Sequence, residues 1–141
     1  MKTRTINNLI GLAAMLVLAF AFMAFATPQD GQKKGAAWEI PAKYAKMENP
    51  YADEDLVKVG KMMYSKHCKS CHGNAGLGDG PKAKQLETFP GDFSSEAFQG
   101  GTDGELYYKS IIGRDEMPNY EKKITDDEDR WAIISYLRTL K

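Results

Sequence analysis

The sequence predicts an all-α domain across residues 51–141, preceded by an export segment and a linker. Apolar residues recur at helical spacing near both ends of that region. Two Ser/Thr-x-x-Glu patterns mark helix starts, and no run alternates apolar and polar residues with the period of two that a half-buried strand shows.

Residues 1–26 carry Lys2 and Arg4 and no acid, followed by the apolar run Leu9 to Ala26 and polar Thr27-Pro28-Gln29-Asp30. A positive end, an apolar middle and the small-residue pattern Ala24-Phe25-Ala26 predict a secretory signal peptide, and with it export to the periplasm. The run spans 18 residues, also enough for a retained N-terminal membrane anchor through Leu9 to Ala26. Residues 27–50 read as a flexible tether, because Thr27 to Ala37 is rich in Gln, Lys and Gly without hydrophobic period. Trp38, Ile40, Pro41 and Tyr44 close it as irregular N-terminal packing.

Within residues 51–141, Leu56, Val59, Gly60, Met63, Tyr64 and His67 form one helical stripe, with Lys58, Lys61 and Lys66 off it. Asp53, Glu54 and Asp55 sit where negative charge suits the helix start. Gly73 to Gly80 holds four glycines in eight positions and predicts a loop, with a short helix over Pro81 to Leu86 and irregular chain at Phe89 to Phe93. Thr102-Asp103-Gly104-Glu105 opens a helix continued by Leu106, Tyr107, Ser110 and Ile111 until Gly113. Thr125-Asp126-Asp127-Glu128 opens another, carrying Trp131, Ile133, Ile134, Tyr136, Leu137 and Leu140 to the C-terminus.

The whole chain has 19 basic and 19 acidic residues, and loss of residues 1–26 leaves 17 against 19. No basic excess is available to match phosphates, so nucleic acid is excluded as a partner class. A domain of this size only narrowly offsets its chain entropy by apolar burial, and a covalent cofactor supplies the missing stabilisation.

The two cysteines stand in Cys68-Lys69-Ser70-Cys71-His72, the C-x-x-C-H pattern of covalent haem attachment. One helical turn brings both thiols to one edge of a porphyrin, and the next residue sets an imidazole under the iron. A thioredoxin-like dithiol expects a preceding strand and a βαβ setting, whereas here the motif closes an amphipathic helix and enters a glycine loop. A zinc site using His67 as well lacks a second ligand pair elsewhere. For the other face of the iron Met117 is the candidate, beyond Gly113 and followed by Pro118, whose fixed φ stiffens the backbone. Met62 and Met63 lie too near the cysteines to cross to that face, and Met47 is a further methionine available after export. A ligating imidazole needs its second nitrogen held, and the carbonyl of Pro81 is a plausible acceptor. His67, adjacent to Cys68, is read as structural or exposed.

Cys68 to His72, the loop Gly73 to Pro81, Thr102 to Gly113, Met117-Pro118 and the helix around Trp131-Tyr136-Leu137 together resemble a class I c-type cytochrome of the bacterial single-haem type. The resemblance covers about Asp53 to Lys141 and implies a small cytochrome c fold of helices wrapped around one covalently bound haem c. It implies thioethers at Cys68 and Cys71, iron ligands His72 and Met117, and crossing of the first and last helices at Gly60. The expected function is electron transfer with redox partner proteins of a periplasmic respiratory chain, as a soluble or tethered carrier or a haem subunit of a larger complex, and not as an enzyme. The alternative is a ligand-binding or peroxidatic haem protein with an open iron position.

Overall fold

A computed structural model describes residues 32–141; the expected export segment at 1–26 and the first tether residues, 27–31, lie outside the described residues. The elements are α1 (Ala42–Ala45), α2 (Val57–His67), α3 (Lys69–His72), a 3-10 turn (Ala83–Gln85), α4 (Glu96–Gln99), α5 (Asp103–Tyr107) and α6 (Asp127–Leu137). A π-helical turn, Tyr108–Ile112, continues α5. Among the described residues there is no strand, only isolated bridges joining Lys33 to Thr88 and Arg114 to Met117, so the domain is all-α as expected.

Helices α2 and α6 cross and form the centre of the core. Tyr64 of α2 is buried against Tyr136 of α6, with ring centroids 5.2 Å apart. Trp131, Ile133, Ile134 and Leu137 are buried too, together with Leu106 and Ile111 from the α5 segment. The crossing is close because position 60 has no side chain: a Cβ there would stand 1.9 Å from the Ala132 carbonyl oxygen and 2.8 Å from Tyr136 Cβ. Gly60 thus lets the two backbones touch, as its place in an apolar stripe suggests. Helix α2 begins at Val57 with buried Leu56 preceding it, so Asp53, Glu54 and Asp55 fall in the turns ahead of the helix and not in its first turn.

The Thr102 capping box forms in full: the Glu105 N–H donates to Thr102 Oγ1, and the Glu105 carboxylate accepts from the Thr102 N–H. The box expected at Thr125 does not form. Asp126 caps α6 instead, its carboxylate accepting the Glu128 N–H at 3.0 Å, because an Asp one position later offers a stronger acceptor to the same free N–H groups. Helix α6 also stops at Leu137, where Arg138 turns its guanidinium onto the Gln99 and Gly101 carbonyls and the Asp103 carboxylate.

The segment read as a tether is docked on the domain from Gln32 onward. Gln32 Nε2 donates to the Ala83 and Leu86 carbonyls, and Lys33 pairs its backbone with Glu87 and Phe89. The Trp38 ring meets Tyr108 edge-on, and Tyr44 of α1 packs on Tyr108 with centroids 4.8 Å apart. The polar composition concealed this because most of the bonds run through the segment's backbone, which composition does not report.

Candidate cofactor site

Helix α2 ends where the Cys68 N–H donates to the Tyr64 carbonyl, and α3 follows at once as a single turn. Within it the Cys71 and His72 N–H groups both donate to the Cys68 carbonyl, at 3.2 and 3.1 Å. This turn sets Cys68, Cys71 and His72 into the wall of one cavity of about 570 Å³. The volume falls within the range of about 300–1,000 Å³ found for pockets that enclose small organic cofactors. Both cysteines are free. Burial pushes the Cys68 thiol up to about 12, with Cys71 adding to the shift. A dithiol oxidoreductase activates its attacking thiol in the opposite direction, toward a thiolate at neutral pH, and Cys68 lacks that activation.

His72 is buried and stacks on the Phe93 ring, with centroids 4.5 Å apart and planes 23° apart. Desolvation lowers its pKa to about 4, so at neutral pH the imidazole carries no proton on one nitrogen and keeps a lone pair to donate. Its Nδ1 is buried without a hydrogen-bond partner. Pro81, expected to supply that partner, is exposed, and no hydrogen bond joins its carbonyl to His72. The chain around Pro81 is held by other bonds, Gly80 N–H to the Cys71 carbonyl and Lys82 N–H to the Ser70 carbonyl.

Another part of the cavity wall comes from a turn between Gly113 and Met117. The Met117 N–H donates to the Arg114 carbonyl at 2.8 Å, and Asp115 takes a left-handed backbone with φ 51°. Gly113 has φ 70°, and a Cβ there would meet the Met117 carbonyl oxygen at 2.3 Å. Glycine at this position is therefore what permits the turn, and the turn brings half-buried Met117 to the same cavity as His72.

The glycine loop wraps the attachment turn. Gly78 N–H donates to the His72 carbonyl, and the Tyr64 hydroxyl donates to the Gly73 carbonyl at 2.7 Å, tying the loop to α2. His67 is half-buried rather than exposed; it lines the cavity with an unpartnered Nε2, and its carbonyl accepts the Tyr120 hydroxyl. Phe93, Tyr120 and Trp38 also line the cavity and carry no local sequence signal for that role. The lining suits a covalent haem: two thiols one turn apart, a neutral buried imidazole with an unmet nitrogen, and aromatic walls, with Met117 on the same cavity. The residues fit the group.

Residues 57–141 match the family model described as cytochrome c. Over 103 residues the chain is 26% identical to a thiosulfate dehydrogenase of Stutzerimonas stutzeri (strain A1501), an alignment covering 72% of this chain and 33% of that protein. The chain thus spans about a third of the length of that curated relative.

Proposed function

This chain belongs to the cytochrome c family, carries haem c and transfers electrons through it; on that premise we propose an exported single-haem carrier with His72 and Met117 as the two axial ligands. The observation that carries this reading is that Cys68, Cys71, His72 and Met117, from two segments far apart in sequence, line one cavity. When bound, the haem supplies a one-electron iron couple. The chain's residues do the rest. Cys68 and Cys71 anchor the ring covalently, so it is not lost outside the cell. His72 donates the lone pair that burial keeps unprotonated. Met117 contributes a soft thioether, which favours the reduced state and raises the potential. With His72 and Met117 both holding the haem, the chain would leave no position for oxygen or peroxide and would act as a relay rather than a catalyst.

The redox partner docks through the segment Leu56–Lys84, where Lys58, Lys61, Lys66, Lys69, Lys82 and Lys84 are all exposed against the single acid Asp79. Asp126, Asp127 and Glu128 stand exposed at the start of α6, giving the domain a charge asymmetry that steers an acidic patch on the partner toward the attachment motif. The place of action is the periplasm, in a respiratory chain, with Leu9 to Ala26 removed on export or kept as a membrane tether.

Carbon monoxide addition to the reduced protein tests the ligand set. The wild type gives no spectral change and Met117→Ala binds carbon monoxide rapidly; rapid, complete binding by the wild type overturns the assignment and makes an open-iron, ligand-binding or peroxidatic role the reading. The likeness to a thiosulfate dehydrogenase favours a second reading, direct oxidation of thiosulfate. Reduction of the oxidised protein by thiosulfate alone, at a rate saturating in thiosulfate, establishes it, and absence of reduction removes it.

A further inference from the structure

The turn that bears Met117 has little to hold it from within. Its base is closed by the Tyr120 N–H donating to the Ile111 carbonyl, and inside it the Met117 N–H reaches the Arg114 carbonyl. Asp115, Glu116, Pro118 and Asn119 are exposed. Within the turn Arg114 Nε also lies 3.8 Å from the exposed Asp115 carboxylate, and the other ties come from two other parts of the chain. The Glu116 carboxylate accepts the N–H groups of Thr88 at 2.9 Å and Glu87 at 3.1 Å. The Arg114 guanidinium donates to the carbonyls of Ala36 and Ala37, the latter at 2.8 Å, and lies 4.1 Å from the Trp38 ring.

These two anchors are themselves joined. Lys33 N–H donates to the Glu87 carbonyl at 3.1 Å, and Phe89 N–H donates to the Lys33 carbonyl at 3.2 Å. The contacts therefore close a ring: from the Met117 turn through Glu116 to residues 87–88, from there through Lys33 along the strap Gln32–Trp38, and back through Arg114. Charge-assisted bonds are the stronger kind, and a guanidinium that spans two carbonyls while lying over an indole is fixed in direction as well as place. Trp38 and Met117 line the same cavity, so the strap stands beside the position that Met117 must hold.

We propose that Arg114 and Glu116 are positioning residues for Met117, and that the strap Gln32–Trp38 is the fixed body against which Arg114 holds the turn. The inference rests on the reading of Met117 as the axial ligand. Such supports around a metal ligand typically change its affinity by about 10- to 100-fold when removed. Opening the ring at Arg114 or at Glu116 lets the thioether leave the iron more often without removing it.

The test uses the purified haem-loaded full chain. The weak far-red thioether-to-iron absorption of the oxidised wild type is recorded first, because its absence refutes the ligand reading itself. With that band present, Arg114→Ala, Glu116→Ala and Trp38→Leu are compared in the rate of cyanide binding to the oxidised protein and in hydrogen exchange of the Met117 N–H. Arg114→Ala and Glu116→Ala are expected to bind cyanide about tenfold faster or more, with exchange rising in parallel. Thr102→Ala, a cap variant in a different loop, controls for general loss of stability and leaves both rates near wild type. If a full truncation prevents haem loading, Arg114→Lys and Glu116→Gln weaken the same bonds while keeping the bulk of each side chain, and an acceleration there with exchange rising in parallel supports the proposal by itself. Unchanged cyanide rates in the variants that load, with the wild-type band intact, overturn the positioning role and leave the ligand reading standing.

Discussion

Replacing Gly60 by Ala asks whether the backbone contact between α2 and α6 organises the core. The new Cβ would sit 1.9 Å from the Ala132 carbonyl oxygen, 2.6 Å from the Ala132 carbonyl carbon and 2.8 Å from Tyr136 Cβ. Two of these three atoms are helix backbone, which cannot rotate away, so the helices must separate by about 1 Å or more. A gap of about 1 Å forfeits up to about half of the attraction of each contact it opens. The contacts at stake involve Tyr64, Trp131 and Tyr136, all buried. Overpacking of this kind costs about 1–3 kcal/mol, and the rigid backbone puts it at or above the upper end. Alanine recovers about 1 kcal/mol through helix propensity. The expected net loss is about 2–3 kcal/mol, a fall in Tm of about 10–20 °C for a domain of this size. Thermal and urea unfolding of the haem-loaded protein, followed by far-UV circular dichroism, measures it. Ser65→Ala, on an exposed position of the same helix, should be neutral or slightly stabilising. A Gly60→Ala protein as stable as wild type would refute the argument, since it would mean that the crossing has slack that the distances deny.

Thr102→Ala is expected to cost about 1 kcal/mol by urea unfolding, because it removes an acceptor and breaks the reciprocal bond from Glu105, whereas Thr125→Ala should change stability by less than about 0.5 kcal/mol, since Asp126 caps α6. Arg138→Ala leaves the Gln99 and Gly101 carbonyls without their donor and Asp103 without its partner; for a half-exposed site a loss of about 1–2 kcal/mol is expected from the same measurement. Stopped-flow electron transfer to the physiological oxidant should slow as ionic strength rises from low to physiological values, and Lys61→Glu or Lys69→Glu should weaken that dependence; rates indifferent to salt would remove the steering role of the lysines.

The parts of this protein that rest on short-range chemistry were legible in the sequence. The spacing of Cys68, Cys71 and His72 is a property of one helical turn, and the structure sets all three on one cavity wall. The Thr102 box is a four-residue pattern and forms as written. Gly60 interrupting an apolar stripe pointed to a close crossing, which α6 provides. Met117 was singled out by its place after Gly113 and before Pro118, and it does reach the cavity. Even locally, competition between neighbours escaped the pattern, as when Asp126 displaced Thr125 as the cap.

What depends on residues meeting across the chain was decided only in three dimensions. The stacking of Phe93 on His72 belongs to a stretch with no period of its own, ordered by the Phe93 N–H donating to the Gly76 carbonyl. The carbonyl of Pro81 was the expected acceptor for His72 Nδ1, an atom the structure leaves buried without a partner, and backbone bonds at Gly80 and Lys82 hold the turn between them. The largest departure is the segment from Gln32 to Trp38, polar enough to read as a free tether and nonetheless bonded to residues 83–89 and to Arg114, the latter 77 and 78 residues from its acceptors. Composition and periodicity report what a segment can bury. They do not report which distant backbone carbonyls a guanidinium will find, because that pairing exists only once the two loops have been carried to the same side of the cavity.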